Sequence, residues 1–100
     1  MYAILDVNKN VVEVPMEVFG PWFEKINNRI VEKADLADCE VSTVFLGIDH
    51  SFKSTKKLWF ETMIFGGPRD GEQYRYETYA EAIEGHNKIL EELNKPKTED

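Results

Sequence analysis

Two apolar runs in the middle of the chain dominate its pattern of hydrophobic and polar positions. The first reads V-S-T-V-F-L-G-I, the second reads L-W-F-E-T-M-I-F, and a short segment that carries three lysines separates them. Both runs are rich in the β-branched and aromatic residues that suit a pleated, half-buried surface, and each has the length of an ordinary strand. The pattern predicts a central β-hairpin over 41–49 and 58–66.

Side chains alternate between the two faces of a strand, so each run divides into two sets. In both runs each set is largely apolar, and the main exception is Glu61, a carboxylate in the middle of the second strand. A sheet with two apolar faces is usually covered on more than one side. We therefore expect helices, or a second copy of the protein in a homodimer, to cover both faces.

A stripe of apolar residues at helical spacing precedes the hairpin. Pro21 is tolerated in the first turn of a helix but disrupts later turns, so a helix is predicted near 20–28, with a separate turn over 16–19. The apolar positions that share one face of this helix are Phe19, Trp22, Phe23 and Ile26.

The last predicted element is a helix over 79–94. Thr78 and Glu81 have the spacing of a capping box, in which each side chain bonds a backbone N–H of the other residue. The apolar positions then recur at helical spacing for about four turns, and they are Tyr79, Ala82, Ile83, His86, Ile89, Leu90 and Leu93.

Together these elements predict an α+β fold: an antiparallel sheet of four or five strands, packed by the helices near 20–28 and at 79–94. We expect one domain over residues 1–95 and a flexible tail over 96–100. The remaining strands are expected, on weaker patterns, at 2–6, 11–14, 29–36 and 73–76.

Composition narrows the function classes. The 100 residues carry 12 basic and 19 acidic side chains, and the net charge of −7 disfavours direct binding to nucleic acid backbones. No apolar run is long enough for a transmembrane helix, and no signal peptide is recognised, so we expect no membrane association. The single cysteine, Cys39, is expected to be a buried structural thiol.

Four ionisable residues stand where a plain core or turn does not require them: Asp49, His50, Glu61 and His86. Two histidines and two carboxylates are adequate ligands for zinc, manganese or iron, and a carboxylate beside a histidine can perform general acid–base catalysis. The alternative is structural. In it, His86 is a core residue paired with Glu61, and Asp49 forms a turn.

A second candidate site combines cations with aromatic rings. Stacking on rings and phosphate contacts from basic side chains would suit a nucleotide ligand. The cations of this predicted site are Lys53, Lys56, Lys57 and Arg69. The chain has no dinucleotide fingerprint and no phosphate loop, and the sequence does not identify a cofactor.

Three strings carry a resemblance: V-S-T-V-F-L-G-I-D-H, L-W-F-E-T-M-I-F-G-G-P and R-Y-E-T-Y-A-E-A-I-E-G-H. With the opening Y-A-I-L-D, they are similar to a family of small proteins of tailed bacteriophages and prophages. The resemblance covers most of the chain up to about Leu90 and departs at the hairpin tip, where Lys56 and Lys57 replace a more apolar stretch. It implies a phage protein in the host cytoplasm, and it implies no activity.

These observations leave three functional hypotheses. The first is a non-enzymatic accessory protein that binds a host or phage protein, to counter a defence system or to alter host regulation. The second is a small metal-dependent hydrolase or metal-binding domain that uses Asp49, His50, Glu61 and His86. The third is a nucleotide-binding module.

Overall fold

The computed structural model describes residues 1–48 and 57–94. It confirms the α+β fold, with six strands, two helices and one 3₁₀ turn among the described residues. In chain order they are β1 (Tyr2–Leu5), β2 (Val11–Val14), α1 (Met16–Glu24), the 3₁₀ turn (Ile26–Asn28), β3 (Ile30–Asp35), β4 (Glu40–Phe45), β5 (Phe60–Phe65), β6 (Gln73–Tyr76) and α2 (Tyr79–Asn94).

The strands form two antiparallel sheets. β1 and β2 pair as a separate hairpin, and the larger sheet has the order β3-β4-β5-β6. The predicted strands at 2–6, 11–14, 29–36 and 73–76 are thus all present, but the first two do not join the main sheet. Because each strand of that sheet pairs with its neighbour in sequence, the sheet is a simple meander.

The central hairpin is confirmed, although its strands are shorter than the predicted 41–49 and 58–66. β4 ends at Phe45, and Ile48 instead forms an isolated bridge with Tyr2 of β1. The chain turns at Gly47, where φ is +76° and a Cβ atom would lie 2.6 Å from Cε1 of Phe19. A glycine is required here because other residues rarely adopt this φ and have no space for a side chain. Residues 49–56 lie outside the described part of the chain.

The predicted start of the first helix near Gly20, after a separate turn, is wrong. α1 begins at Met16, and the carbonyl of Pro15 accepts hydrogen bonds of 3.0 Å from the backbone N–H groups of Val18 and Phe19. Pro21 therefore lies inside the helix rather than in its first turn, and α1 ends soon afterwards at Glu24. The 3₁₀ turn covers the remainder of the predicted helix.

α2 has the predicted bounds, and its capping box is formed. The backbone N–H of Glu81 donates to the hydroxyl of Thr78 at 3.1 Å, and the N–H of Thr78 donates to the Glu81 carboxylate at 3.3 Å. α2 packs against all four strands of the main sheet, whereas α1 packs mainly on β1. The predicted tail, 96–100, lies outside the described residues.

The core lies between α2 and one face of the main sheet. One apolar cluster surrounds Phe45 and Phe60, and a second surrounds Val41, Ile64 and Ile89. The expectation that helices cover both sheet faces is wrong for the described residues, because α2 covers one face, and α1 packs mainly on β1, with Trp22 against Phe45 of that same face. The opposite face of the sheet is therefore left without a helix across it in residues 1–48 and 57–94.

Candidate functional site

A chain of hydrogen-bonded side chains crosses the core between its two apolar clusters. Nδ1 of His86 lies 2.7 Å from the Thr43 hydroxyl, which lies 2.5 Å from the Thr62 hydroxyl. The hydroxyl of Tyr76 donates to Thr62 at 3.1 Å. Thr43, Thr62 and His86 are all at most 1% exposed, so the network is a buried polar layer.

The strand register explains how this layer forms. Thr43 and Thr62 are directly opposite each other in β4 and β5. On the same sheet face the next pair in one direction is Phe45 with Phe60, and the next pair in the other direction is Val41 with Ile64. α2 places His86 over the threonine pair, between its own buried positions at Ala82 and Ile89.

One order of donors gives every hydroxyl of the network an acceptor. In this order Thr62 accepts from Tyr76 and donates to Thr43, and Thr43 donates to Nδ1 of His86, so the histidine proton is on Nε2. Burial lowers the pKa of His86 below its usual 6.5, and the charge of Glu32 partly opposes that shift. Both observations favour the neutral imidazole in this layer.

The expected pair of His86 with Glu61 does not form. Glu61 follows Phe60 and precedes Thr62 in β5, so its side chain points to the opposite face of the sheet. There its carboxylate accepts a hydrogen bond of 3.1 Å from Nε of Arg75, its neighbour on β6. A sheet thus separates Glu61 from His86.

The other two members of the predicted metal set, Asp49 and His50, lie outside the described residues. Within residues 1–48 and 57–94, no group of three or more His, Cys, Asp or Glu side chains is arranged to hold a metal ion. The structure therefore does not bring the four predicted ligands together.

The predicted nucleotide-site cations that the structure describes are Lys57 and Arg69, and they lie apart. Nζ of Lys57 is 2.8 Å from the carboxylate of Glu13 on β2. The Arg69 guanidinium is 2.9 Å from each of the carboxylates of Glu72 and Glu92, and it links the turn before β6 to α2. Both cations are therefore already paired with acids. Lys53 and Lys56 lie outside the described residues.

The side of the main sheet away from α2 forms a second candidate site. We call it the uncovered sheet face. The strand register places two rows of side chains across it, and they are Ile30, Val44, Glu61 and Arg75 in one row and Lys33, Ser42, Met63 and Gln73 in the next. Phe65 continues this face at the end of β5. Ile30 is 40% exposed and Phe65 is 47% exposed, so large apolar side chains reach solvent here.

A groove of about 340 Å³ opens at one end of the uncovered sheet face, where the 3₁₀ turn meets β3 and β4. We call it the Arg29 groove. Its lining includes Phe23, Ile26, Arg29, Ile30, Lys33 and Val44. Its described lining contains two cations and no acidic side chain.

Arg29 carries a buried side-chain nitrogen, Nε, without a hydrogen-bond partner among the described residues. The guanidinium carbon lies 4.4 Å from the ring centroid of Phe23, which is a cation–π contact. Sequence analysis did not select Arg29, because no motif surrounds it and its environment depends on the packing of α1.

Comparisons with protein-family models, with curated proteins and with solved structures find no match to this chain. Among the described residues, no helix has the length and apolar character needed to span a membrane.

Proposed function

We propose that this protein is a non-enzymatic accessory protein that acts by binding another protein through the uncovered sheet face. The observation that carries the proposal is a group of four apolar side chains on this otherwise polar face, Ile30, Val44, Met63 and Phe65, which stand on adjacent strands. Exposed apolar patches of this kind mark interaction sites in soluble proteins.

The polar residues of the face also suit an interface. Glu61 pairs with Arg75 at 3.1 Å, and Lys33 pairs with Glu40 at 3.4 Å. Non-obligate protein interfaces combine an apolar centre with charged and polar groups at the rim. These two ion pairs flank the apolar side chains and would give a partner both contact area and a fixed orientation.

The resemblance of three sequence strings to phage and prophage proteins is the basis on which we propose a cellular setting for this binding. In the host cytoplasm, the partner would be a host or phage protein, and the effect of binding would be to block a defence system or to alter host regulation. The metal-dependent hydrolase is less well supported, because Glu61 and His86 lie on opposite sides of the sheet. The nucleotide-binding hypothesis loses support because Lys57 and Arg69 are paired with acids and lie apart.

The proposal can be tested by placing a photo-crosslinking phenylalanine analogue on the face. Phe65 is the natural position, and Val18 on α1 is a matched control because their exposures are 47% and 46%. The proteins would be expressed in a host bacterium and irradiated in the cells. We expect a specific cross-linked protein from position 65 and none from position 18.

A charged substitution then tests whether the cross-linked partner and the biological effect depend on the same face. Met63→Glu should abolish the cross-link and any growth or immunity phenotype, whereas Val18→Glu should preserve both. Equal cross-linking from both positions would contradict the proposal. Cross-links exclusively to a second copy of the chain would assign the face to a homodimer instead.

A further inference from the structure

We propose that the Arg29 groove binds a peptide segment of the partner in which an Asp or Glu carboxylate stands beside an aliphatic or aromatic side chain. This inference rests on the proposed function and specifies the chemistry of the segment that the uncovered sheet face recognises. The carboxylate would pair with Arg29, and its apolar neighbour would contact the walls of the groove.

The unpaired charge of Arg29 is the first argument. Arg29 lines the groove, and its guanidinium forms no ion pair with a carboxylate of the described residues. Its Nε atom is closed off from solvent, so an incoming carboxylate would pair with the Nη groups, whose N–H bonds form a planar fork that matches two carboxylate oxygens. The segment would therefore supply the counter-charge that the described chain does not.

The second argument is that the guanidinium is held in position before binding. Its plane rests near the ring of Phe23, and that ring stacks on Phe19 at a centroid distance of 4.7 Å. Both rings in turn pack against Gly47, where a Cβ atom would be within 3.0 Å of Cε1 of Phe23. A fixed donor loses little conformational freedom on binding, and this favours affinity.

The third argument is the composition of the walls. Ile26 is 61% exposed and Ile30 is 40% exposed, and both line the groove beside the half-buried Val44. Lys33 also lines the groove but is paired with Glu40 at 3.4 Å, so the unpaired charge of the groove is that of Arg29, on a chain with a net charge of −7. The groove is thus a local cationic and apolar site on an acidic protein, which complements an acidic and apolar segment.

The size and position of the groove favour a peptide. Its volume of about 340 Å³ is near the lower limit of small-molecule pockets, and it suits one or two side chains. Because Ile30 and Val44 belong both to the groove and to the first row of the uncovered sheet face, a partner seated on that face would extend directly into the groove.

The test is a selection of random twelve-residue peptides on the purified full chain, followed by measurement of Kd for the enriched peptides. We expect enriched peptides to share an Asp or Glu next to an aliphatic or aromatic residue. Arg29→Met should weaken their binding about tenfold or more, since it removes a charge-assisted hydrogen-bond pair. Lys88→Met is the control, because Lys88 is an exposed cation of α2, on the other side of the main sheet and outside the groove, and it should leave Kd unchanged.

Thermal unfolding of each variant shows whether it is folded. If Arg29→Met is not, Ile26→Ser replaces it as a second groove variant, because Ile26 is largely exposed and its change should weaken binding without unfolding the chain. Peptides without a common acidic residue, no enriched peptide, or binding that is indifferent to the folded groove variant would each overturn this inference. If the unmodified chain enriches no such peptide while position 65 still cross-links a partner, the groove is rejected and the proposed function stands; if position 65 also cross-links nothing, both are rejected.

Discussion

Nδ1 of His86 on α2 lies 2.7 Å from the hydroxyl oxygen of Thr43 on β4, and both side chains are buried. This contact joins the helix to the sheet by a polar bond within an apolar core. A buried hydrogen-bond network stabilises a fold when all its members are satisfied, and it becomes costly when one member is removed. We therefore expect the free energy of unfolding to fall when a single hydroxyl or the ring nitrogen of this network is removed.

Thr43→Val should destabilise the protein by about 1–3 kcal/mol. The substitution preserves the β-branched shape, but it leaves both Nδ1 of His86 and the Thr62 hydroxyl without their shared partner. Urea unfolding would measure the change in the free energy of unfolding. Ser42→Val is the control, because Ser42 is adjacent in sequence but faces the uncovered side, and its effect should be within about 0.5 kcal/mol. Equal stabilities of the two variants would refute the importance of the network.

The free energy of unfolding should fall as the pH is lowered through 6.5. Burial lowers the pKa of His86 in the folded state, so the unfolded chain binds a proton more readily than the folded chain does. Stability from neutral His86 is fully present above its unfolded pKa, and it is lost progressively until the pH passes the folded-state pKa. One proton limits the slope to about 1.4 kcal/mol per pH unit.

Urea unfolding at pH values between 8 and 5 would test this dependence against His86→Leu. The other histidine, His50, is present in both proteins, so the difference between their pH profiles isolates His86. We expect the wild-type protein to lose stability relative to the variant as the pH falls. Parallel profiles would show that His86 does not titrate differently in the two states.

Sequence reasoning selected His86 but paired it with the wrong residue. Neighbouring residues of a strand point to opposite faces, so Glu61 and Thr62 cannot both face α2. Which of the two faces α2 depends on packing across the whole sheet, and the sequence of β5 does not reveal it. The threonines gave no signal of their own, since Thr43 and Thr62 are ordinary strand residues. Their role arises because register places them opposite each other beneath His86.

Cys39 should react slowly with alkylating reagents. Desolvation and the nearby charge of Asp38 raise the pKa of its thiol, and only the thiolate is a good nucleophile. The rate of iodoacetamide modification at pH 8 should be lower in the folded chain than in the chain unfolded in urea. Asp38→Asn should increase the folded-state rate, and a rate unchanged by this substitution would contradict the contribution of Asp38.

The sequence predicted an element best where residues close together in the chain determine its structure. The capping box at Thr78 and Glu81 lies within the first turn of α2, and the predicted start of that helix was correct. Gly47 is the opposite case, because its conformation is required by the rings of Phe19 and Phe23 on α1, which are distant in sequence. The same packing creates the site of Arg29, so neither could be found from a pattern of neighbouring residues.

The two helical glycines should differ in their tolerance of alanine. A Cβ atom at Gly85 of α2 would overlap the ring of Tyr76, whose hydroxyl is held by Thr62, whereas at Gly20 of α1 nothing beyond its chain neighbours lies within 4 Å of the Cβ position. Gly85→Ala should therefore destabilise the protein by about 1–3 kcal/mol through overpacking. Gly20→Ala should change the stability by less than about 1 kcal/mol, because the backbone entropy that alanine saves in a helix is opposed by the contact of its Cβ with the ring of Pro21.

Urea unfolding of both variants gives the comparison. Adding Tyr76→Leu to Gly85→Ala tests the cause, since a smaller side chain removes the overlap. The double variant should lose less stability than the sum of the two single losses, by the coupling expected of residues in contact. Strict additivity would mean that Gly85 is required for a reason other than the approach of Tyr76.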